Sequence, residues 1–159
     1  MSDAPLVPLV VRHRPRVPAE RLLDYVRASL ASGLPRVARR PPRPEPLVVA
    51  GGGPSLADTF ELLARQAADG AAVLAVNEVS HFLVERGLTP WAAVLMAPVP
   101  HTAASIEPPH AGVRYFLASM CPPDAFALLD GHDARLWHAE AGAGEAALIG
   151  AKSMIIGGG

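Results

Sequence analysis

The apolar run Leu47-Val48-Val49-Ala50, followed at once by Gly51-Gly52-Gly53-Pro54-Ser55-Leu56, constrains this chain more than any other stretch. Four apolar residues ending in glycine read as a short buried parallel strand. Ser55, with Asp58 three residues on, reads as a helix N-cap and capping box. Leu56, Phe60, Leu63 and Ala67 then fall along one helical face, and Gly70 ends it. A glycine turn between a strand and its helix lets backbone come close to a phosphate, while the helix N-terminus supplies free N–H groups and a favourable dipole. Three consecutive glycines exceed what a plain turn requires. Gly51, Gly52, Gly53, Pro54, Ser55 and Leu56 are therefore expected to bind a phosphate or nucleotide, the alternative being a tight turn with no ligand. The motif is neither G-x-G-x-x-G, because position 56 is Leu, nor a P-loop, because it lacks the lysine.

The chain goes on alternating after Gly70. Ala72–Val76 reads as a second strand, and Val79, Phe82, Leu83 and Arg86 as a helix stopped by Gly87. Trp91–Met96 and Val113–Ala118 read as strands, Asp124–Leu129 as a short helix and Ala134–His138 as a fifth strand. Met154-Ile155-Ile156 begins a sixth and runs into Gly157-Gly158-Gly159. Buried strands alternating with helices predict an α/β, Rossmann-like three-layer domain with a mostly parallel sheet. The final strand-to-glycine junction leads to the expectation that this domain is truncated at its C-terminus.

Residues 1–45 read differently. The first eighteen are rich in Pro and Arg and are expected to be extended, and Pro18 to Leu30 carries Leu22, Leu23, Val26 and Leu30 at helical spacing before Gly33. Prolines at 42, 44 and 46 cannot join a helix or a central strand, so a boundary is placed there. The expected organisation is a basic arm with one helix over 1–45 and a Rossmann-like domain over 46–159. The charge follows that division: nine Arg against four acids in the first part, five basic residues against eleven acids in the second.

Composition narrows the function classes. Half of the 159 residues are apolar and 18% charged, which is globular composition. A net charge of −1 gives no global reason to expect nucleic acid or an anionic membrane as partner. Cys121 is the single cysteine, which excludes an intrachain disulfide framework and a cysteine-rich zinc site. The N-terminus lacks the pattern of a secretory signal, and no apolar run approaches the ~20 residues that span a bilayer. The expected location is cytoplasmic. Thirteen of the fourteen basic residues are Arg, which together with abundant Ala and Pro reads as a coding bias.

Val48 through Leu56, then Leu74-Ala75-Val76-Asn77, then Leu83-Val84-Glu85-Arg86-Gly87-Leu88-Thr89-Pro90, resemble the 6-hydroxymethylpterin diphosphokinase MptE-like domain family. The same Gly-Pro-Ser-Leu turn, followed by a strand ending in Asn, also occurs in motility-associated flagellin glycosyltransferases and bacterial sialyltransferases. The resemblance covers roughly residues 46–159. It implies a transferase that moves a diphosphoryl group from ATP, with Mg²⁺, to a hydroxymethyl acceptor. By the same resemblance the glycine turn holds nucleotide phosphates, Asn77 faces the same crevice, and Gly157-Gly158-Gly159 corresponds to a second glycine turn. One departure stands out. The family commonly carries an Asp after the third strand, where this chain has Val94-Leu95-Met96-Ala97-Pro98, so Ala97 occupies the carboxylate position. Glu78 or Glu107 is then a candidate substitute, and a glycosyltransferase or an inactive nucleotide-binding accessory protein is the alternative.

The other candidates come from position. Asn77 and Glu78 follow a strand at its carboxyl end, where Asn equally suits a helix cap. Ser119 and His138 end the fourth and fifth strands, and with Ala97 complete the expected substrate crevice, although a histidine there is more often structural. Cys121 is expected to be an apolar filler. His81, His101, His110 and His132 lack metal-ligand spacing. The Arg cluster at 36, 39, 40 and 43 is expected to be a solvated arm, and Trp91 and Trp137 to lie in the core.

Overall fold

The computed structural model describes residues 17–39, 41–139, 144–150 and 155–156, the last two as backbone. The chain forms an α/β fold of Rossmann-like type with a wholly parallel sheet. Helix α1 (Ala19–Ala31) comes first, then β1 (Leu47–Ala50), α2 (Leu56–Ala68), β2 (Ala72–Val76), α3 (Val79–Glu85) and β3 (Ala92–Leu95). A 3₁₀ turn over Ala104–Ile106 leads to β4 (Arg114–Ala118), α4 (Pro123–Leu128), β5 (Ala134–Ala139), α5 (Ala146–Ile149) and a short β6 (Ile155–Ile156). The spans expected for the first five strands and the three helices between them agree with these to within a residue or two. Glycines at positive φ end four of the helices, Gly33 after α1, Gly70 after α2, Gly87 after α3 and Gly150 after α5.

The strands stand in sequence order, β1 to β6, and this order decides where the core lies. Each strand-to-strand connection moves one place in the same direction, and such connections are right-handed in nearly all proteins. The helices between strands must then all cover one face of the sheet. Burial follows that rule. On the covered face, Ala50, Val73, Ala75, Ala93, Leu95, Tyr115, Leu117, Ala134 and Leu136 are buried against Leu63 of α2, Val79 and Leu83 of α3, and Ala125 and Phe126 of α4. On the opposite face Leu47 and Val49 are 54% and 60% exposed, and Leu74, Val76, Val94, Phe116 and Trp137 are partly exposed. No helix covers that face among the described residues.

Two expectations need correction here. Trp91 does not lie in the core and Trp137 lies only at its margin: Trp91 is 38% exposed and packs on Phe116 at 5.9 Å between ring centres, while Trp137 is partly buried against the core and its indole N–H donates to the Phe116 carbonyl at 3.3 Å. Both rings partly shelter the uncovered face, with Arg114 over Trp91 and paired with Asp133 at 2.6 Å. Nor do the described residues before the prolines stand apart from the sheet domain. Helix α1 packs against α4 and α5, burying Val26 and Ser29. Beyond it, Val37 N–H donates to Leu136 O at 2.8 Å and Leu136 N–H to Pro35 O at 2.9 Å, so residues 35–37 pair with β5. No helix of the described residues is long and apolar enough to cross a membrane.

Candidate functional site

The expected site residues within the described segments all lie at the carboxyl ends of the strands, the edge where open α/β sheets collect ligands. They fall into three groups along that edge. The first is the glycine turn, which carries the chain from β1 into the thirteen-residue α2. None of Gly51, Gly52 and Gly53 has a positive φ. A Cβ built on Gly51 would meet nothing within 4 Å, and one on Gly53 only Ser55 Oγ at 4.0 Å. Neither glycine is demanded by backbone conformation or by packing. Gly52 has a neighbour: a Cβ there would stand 2.9 Å from Glu78 Oε1. The carboxylate of Glu78, at the start of α3, therefore reaches back over the turn.

Ser55 does occupy the N-cap position of α2, but the expected capping box is absent. Its backbone is helical, at φ −74° and ψ −8°, and its side chain makes no cap hydrogen bond. Leu56 N–H is taken by Gly53 O at 3.0 Å and Thr59 N–H by Ser55 O at 3.0 Å. No hydrogen bond occupies the exposed N–H groups of Gly52, Gly53, Ser55, Ala57 or Asp58. A helix N-terminus in this state presents several converging donors and the positive end of its dipole. A groove of about 240 Å³ beside it runs along β1 and α2, lined in part by Val48, Val49, Gly51, Ser55 and Leu62. Asp58 in the first turn and Glu78 across the turn are the nearby negative charges.

The second group is Asn77 with the loop after β3. Asn77 does not cap α3, since Glu78 holds the N-cap position. It is the one non-glycine residue at positive φ (51°) among the described residues, and its Oδ1 accepts from Met96 N–H at 3.2 Å. Its own N–H donates to Val94 O at 2.9 Å. Asn77 thus ties the end of β2 to the loop beyond β3 and positions Ala97 next to it. Ala97 has no side-chain polar atom, and its carbonyl accepts from Thr102 Oγ1 at 2.7 Å. Glu107 follows the 3₁₀ turn, in the connection between β3 and β4.

The third group is Ser119 with His138. Both are buried, and Ser119 Oγ, His138 Nδ1 and His138 Nε2 have no hydrogen-bond partner. Burial first, and then the nearby Arg36 guanidinium, hold the His138 imidazole below its usual pKa. Arg36 is exposed, as expected, although its backbone bridges to Leu136 of β5. Arg43 pairs with Glu45 at 3.1 Å, and Arg40 lies outside the described residues, as do Gly157, Gly158 and Gly159. Cys121 is fully buried, its Sγ 3.5 Å from Leu95 O, and burial pushes its thiol up to about 12. A thiol in that state is not a nucleophile at neutral pH. His81 pairs with Glu85 at 3.1 Å on the surface of α3.

The depressed His138 pKa gives a pH dependence with a definite sign. Above about pH 6.5 the ring is neutral in both folded and unfolded chains. Below it the unfolded chain takes up the proton first, so stability falls from about pH 6.5 down to the lower folded pKa. Urea midpoints are expected to decline between pH 7 and 5 in the parent protein and to decline less in His138→Leu. Two curves falling in parallel would assign the loss to other groups.

Across the sheet edge the first and third groups are three to four strand spacings apart, roughly 14–19 Å. No family model, curated protein or solved structure matches this chain.

Proposed function

We propose that this chain is a nucleotide-dependent transferase that takes the phosphates of ATP on the turn Gly51–Ser55 and moves a diphosphoryl group to a hydroxymethyl acceptor. The observation that carries the nucleotide half is that Gly51 and Gly53 are glycines without a positive φ or a packing neighbour that requires one. The remaining physical reason for a bare backbone there is the close approach of a ligand. The free N–H groups of the turn, the uncommitted Ser55 hydroxyl and the N-terminal dipole of α2 would then hold phosphate oxygens. The transferase half rests on the resemblance of residues 46–159 to the MptE-like domain.

Mg²⁺ is the cofactor this reading implies, and the donor set beside the turn fits it. Glu78 supplies a carboxylate over Gly52, and Ser55 supplies a hydroxyl, both oxygen donors of the kind Mg²⁺ takes. The ion would spread the charge that develops on the transferred phosphoryl oxygens. What the chain itself does is hold the phosphates, orient them by the helix end and keep Glu78 at the turn. Ala97 favours a second reading, a protein that binds nucleotide without turning it over, because Met96-Ala97-Pro98 offers no side-chain carboxylate.

A thermal-shift comparison of the parent protein with Gly53→Val tests this. A Cβ at position 53 meets only Ser55 Oγ, at 4.0 Å, so the fold should tolerate the valine while the turn is blocked. ATP with Mg²⁺ at 100 times its Kd should stabilise the parent by about 2.7 kcal/mol, a shift of several degrees, and Gly53→Val should lose it. A parent protein with a cooperative melt and no shift with ATP and Mg²⁺ would sink the nucleotide reading. CMP or UDP compounds shifting it in place of ATP would turn the proposal to glycosyl transfer, and binding without product would support the inactive reading.

A further inference from the structure

Ser119 directly follows β4 and His138 is the penultimate residue of β5. The ladder pairs Ala118 with Trp137, and Ser119 N–H donates to Trp137 O at 2.8 Å, so the next residues, Ser119 and His138, stand side by side on the helix-covered face. They are 0% and 2% exposed. Other buried hydroxyls of the core region have partners: Ser29 Oγ donates to Val26 O, Ser80 Oγ to Asn77 O, and Thr102 Oγ1 to Ala97 O. The orphaned buried side-chain atoms among the described residues are those of Ser119 and His138 alone. A buried polar group left without a partner is costly to the fold. Two of them on adjacent strand ends, at the edge where ligands collect, mark a place with no partner among the described residues.

The chemistry of that partner follows from the pair. A neutral imidazole offers one donor and one acceptor, and a serine hydroxyl offers both. An anion accepts only, and would leave the ring's acceptor nitrogen facing negative charge. An ammonium donates only, and Arg36 already places positive charge nearby. The matching group is uncharged and presents a donor beside an acceptor, as the edge of a nitrogen heterocycle does. The pair also lies across the strand ends from the glycine turn, a separation comparable with the length of an extended nucleotide.

We infer that Ser119 and His138 form a binding pair for the uncharged edge of a nitrogen heterocycle, supplied by the nucleobase of the nucleotide or by the acceptor. The location of that heterocycle relative to the phosphates rests on the proposed nucleotide site, while the pair itself rests on its own orphaned atoms. Thermal shift and titration calorimetry on the full chain test it, with ATP and Mg²⁺, tripolyphosphate and Mg²⁺, adenosine, and hypoxanthine as probes. Ser119→Ala and His138→Leu should melt no lower than the parent at pH 7.5, since no bond is lost. Each should weaken heterocycle binding about tenfold and leave tripolyphosphate unchanged. His138→Gln, which keeps a donor and an acceptor, should retain more of the affinity than His138→Leu. Weakened ATP and adenosine binding assigns the nucleobase as the source, and weakened hypoxanthine binding with ATP unchanged assigns the acceptor. The inference is overturned if both variants melt several degrees lower, which would make the pair a bonded structural element. It is overturned equally if adenosine, ATP and hypoxanthine either fail to bind the parent or bind parent and variants alike. Loss of tripolyphosphate binding in the parent, with hypoxanthine still bound and sensitive to the variants, would sink the phosphate turn and leave the pair standing.

Discussion

Ala75→Asp is expected to destabilise the protein by about 3–5 kcal/mol, enough to consume most or all of the stability of an ordinary domain, whereas Val49→Asp on the next strand costs only about 1 kcal/mol. Ala75 is 0% exposed on the covered face, between Ala50 and Ala93 of the neighbouring strands in one core cluster, and no lysine or arginine is buried among the described residues. A charge placed there has neither water nor a partner, and the side chain also overfills a site sized for a methyl. Val49 stands on the opposite face of β1 at 60% exposure, so its replacement forfeits strand preference and little burial. Urea unfolding of the two variants beside the parent measures both. Equal losses would mean that both faces of the sheet are covered in solution, and that the one-sided arrangement is not the state of the protein.

The second large effect belongs to Asn77. Its φ of 51° is a left-handed conformation that Asn reaches easily and a β-branched residue does not. Asn77→Val should cost about 1–3 kcal/mol in backbone strain and a further 0.5–1.5 kcal/mol through the lost bond from Met96 N–H. Asn77→Gly removes the strain and keeps only the second loss, and Asn77→Asp keeps an acceptor for Met96. The expected order of urea midpoints is parent, Asp, Gly, Val, from highest to lowest. Glycine and valine variants of equal stability would show that the turn relaxes away from positive φ at no cost. The same variants report on function, because the Met96–Ala97 loop loses its tether when Oδ1 is gone.

The alternation of elements was legible because each short strand is apolar and each helix carries both a face and a glycine stop. The glycine turn was legible for the same reason, since Gly51 follows directly on Ala50. Which face each strand buries was not legible. In Leu47-Val48-Val49-Ala50 both alternate sets are apolar, so no period of two distinguishes the covered residues from the uncovered ones. That is also why Trp91 and Trp137 read as core. The pairing of residues 35–37 with β5 was hidden by the prolines that follow, which mark a boundary in conformation without preventing a return to the sheet. The four-residue α5 and the 3₁₀ turn are too short to carry a pattern. Ser119 and His138 were visible singly, as polar residues at strand ends. That they are neighbours required the register, which no sequence spacing supplies.

The terminal position of β1 has a consequence for how tightly the turn can hold anything. Among the described residues its backbone is paired on one side only, by β2, and two of its four side chains, Leu47 and Val49, are exposed. Strands of this kind open locally at a free energy well below that of global unfolding, and their amides exchange with solvent sooner than those of interior strands. The glycine turn is thus mounted on one of the more readily fraying parts of the sheet. A ligand that requires Gly51–Ser55 in place must also hold β1 closed, so part of its intrinsic affinity is spent on suppressing that fraying. Whatever lies against β1 would return that part, and would tune binding at the turn without touching the ligand.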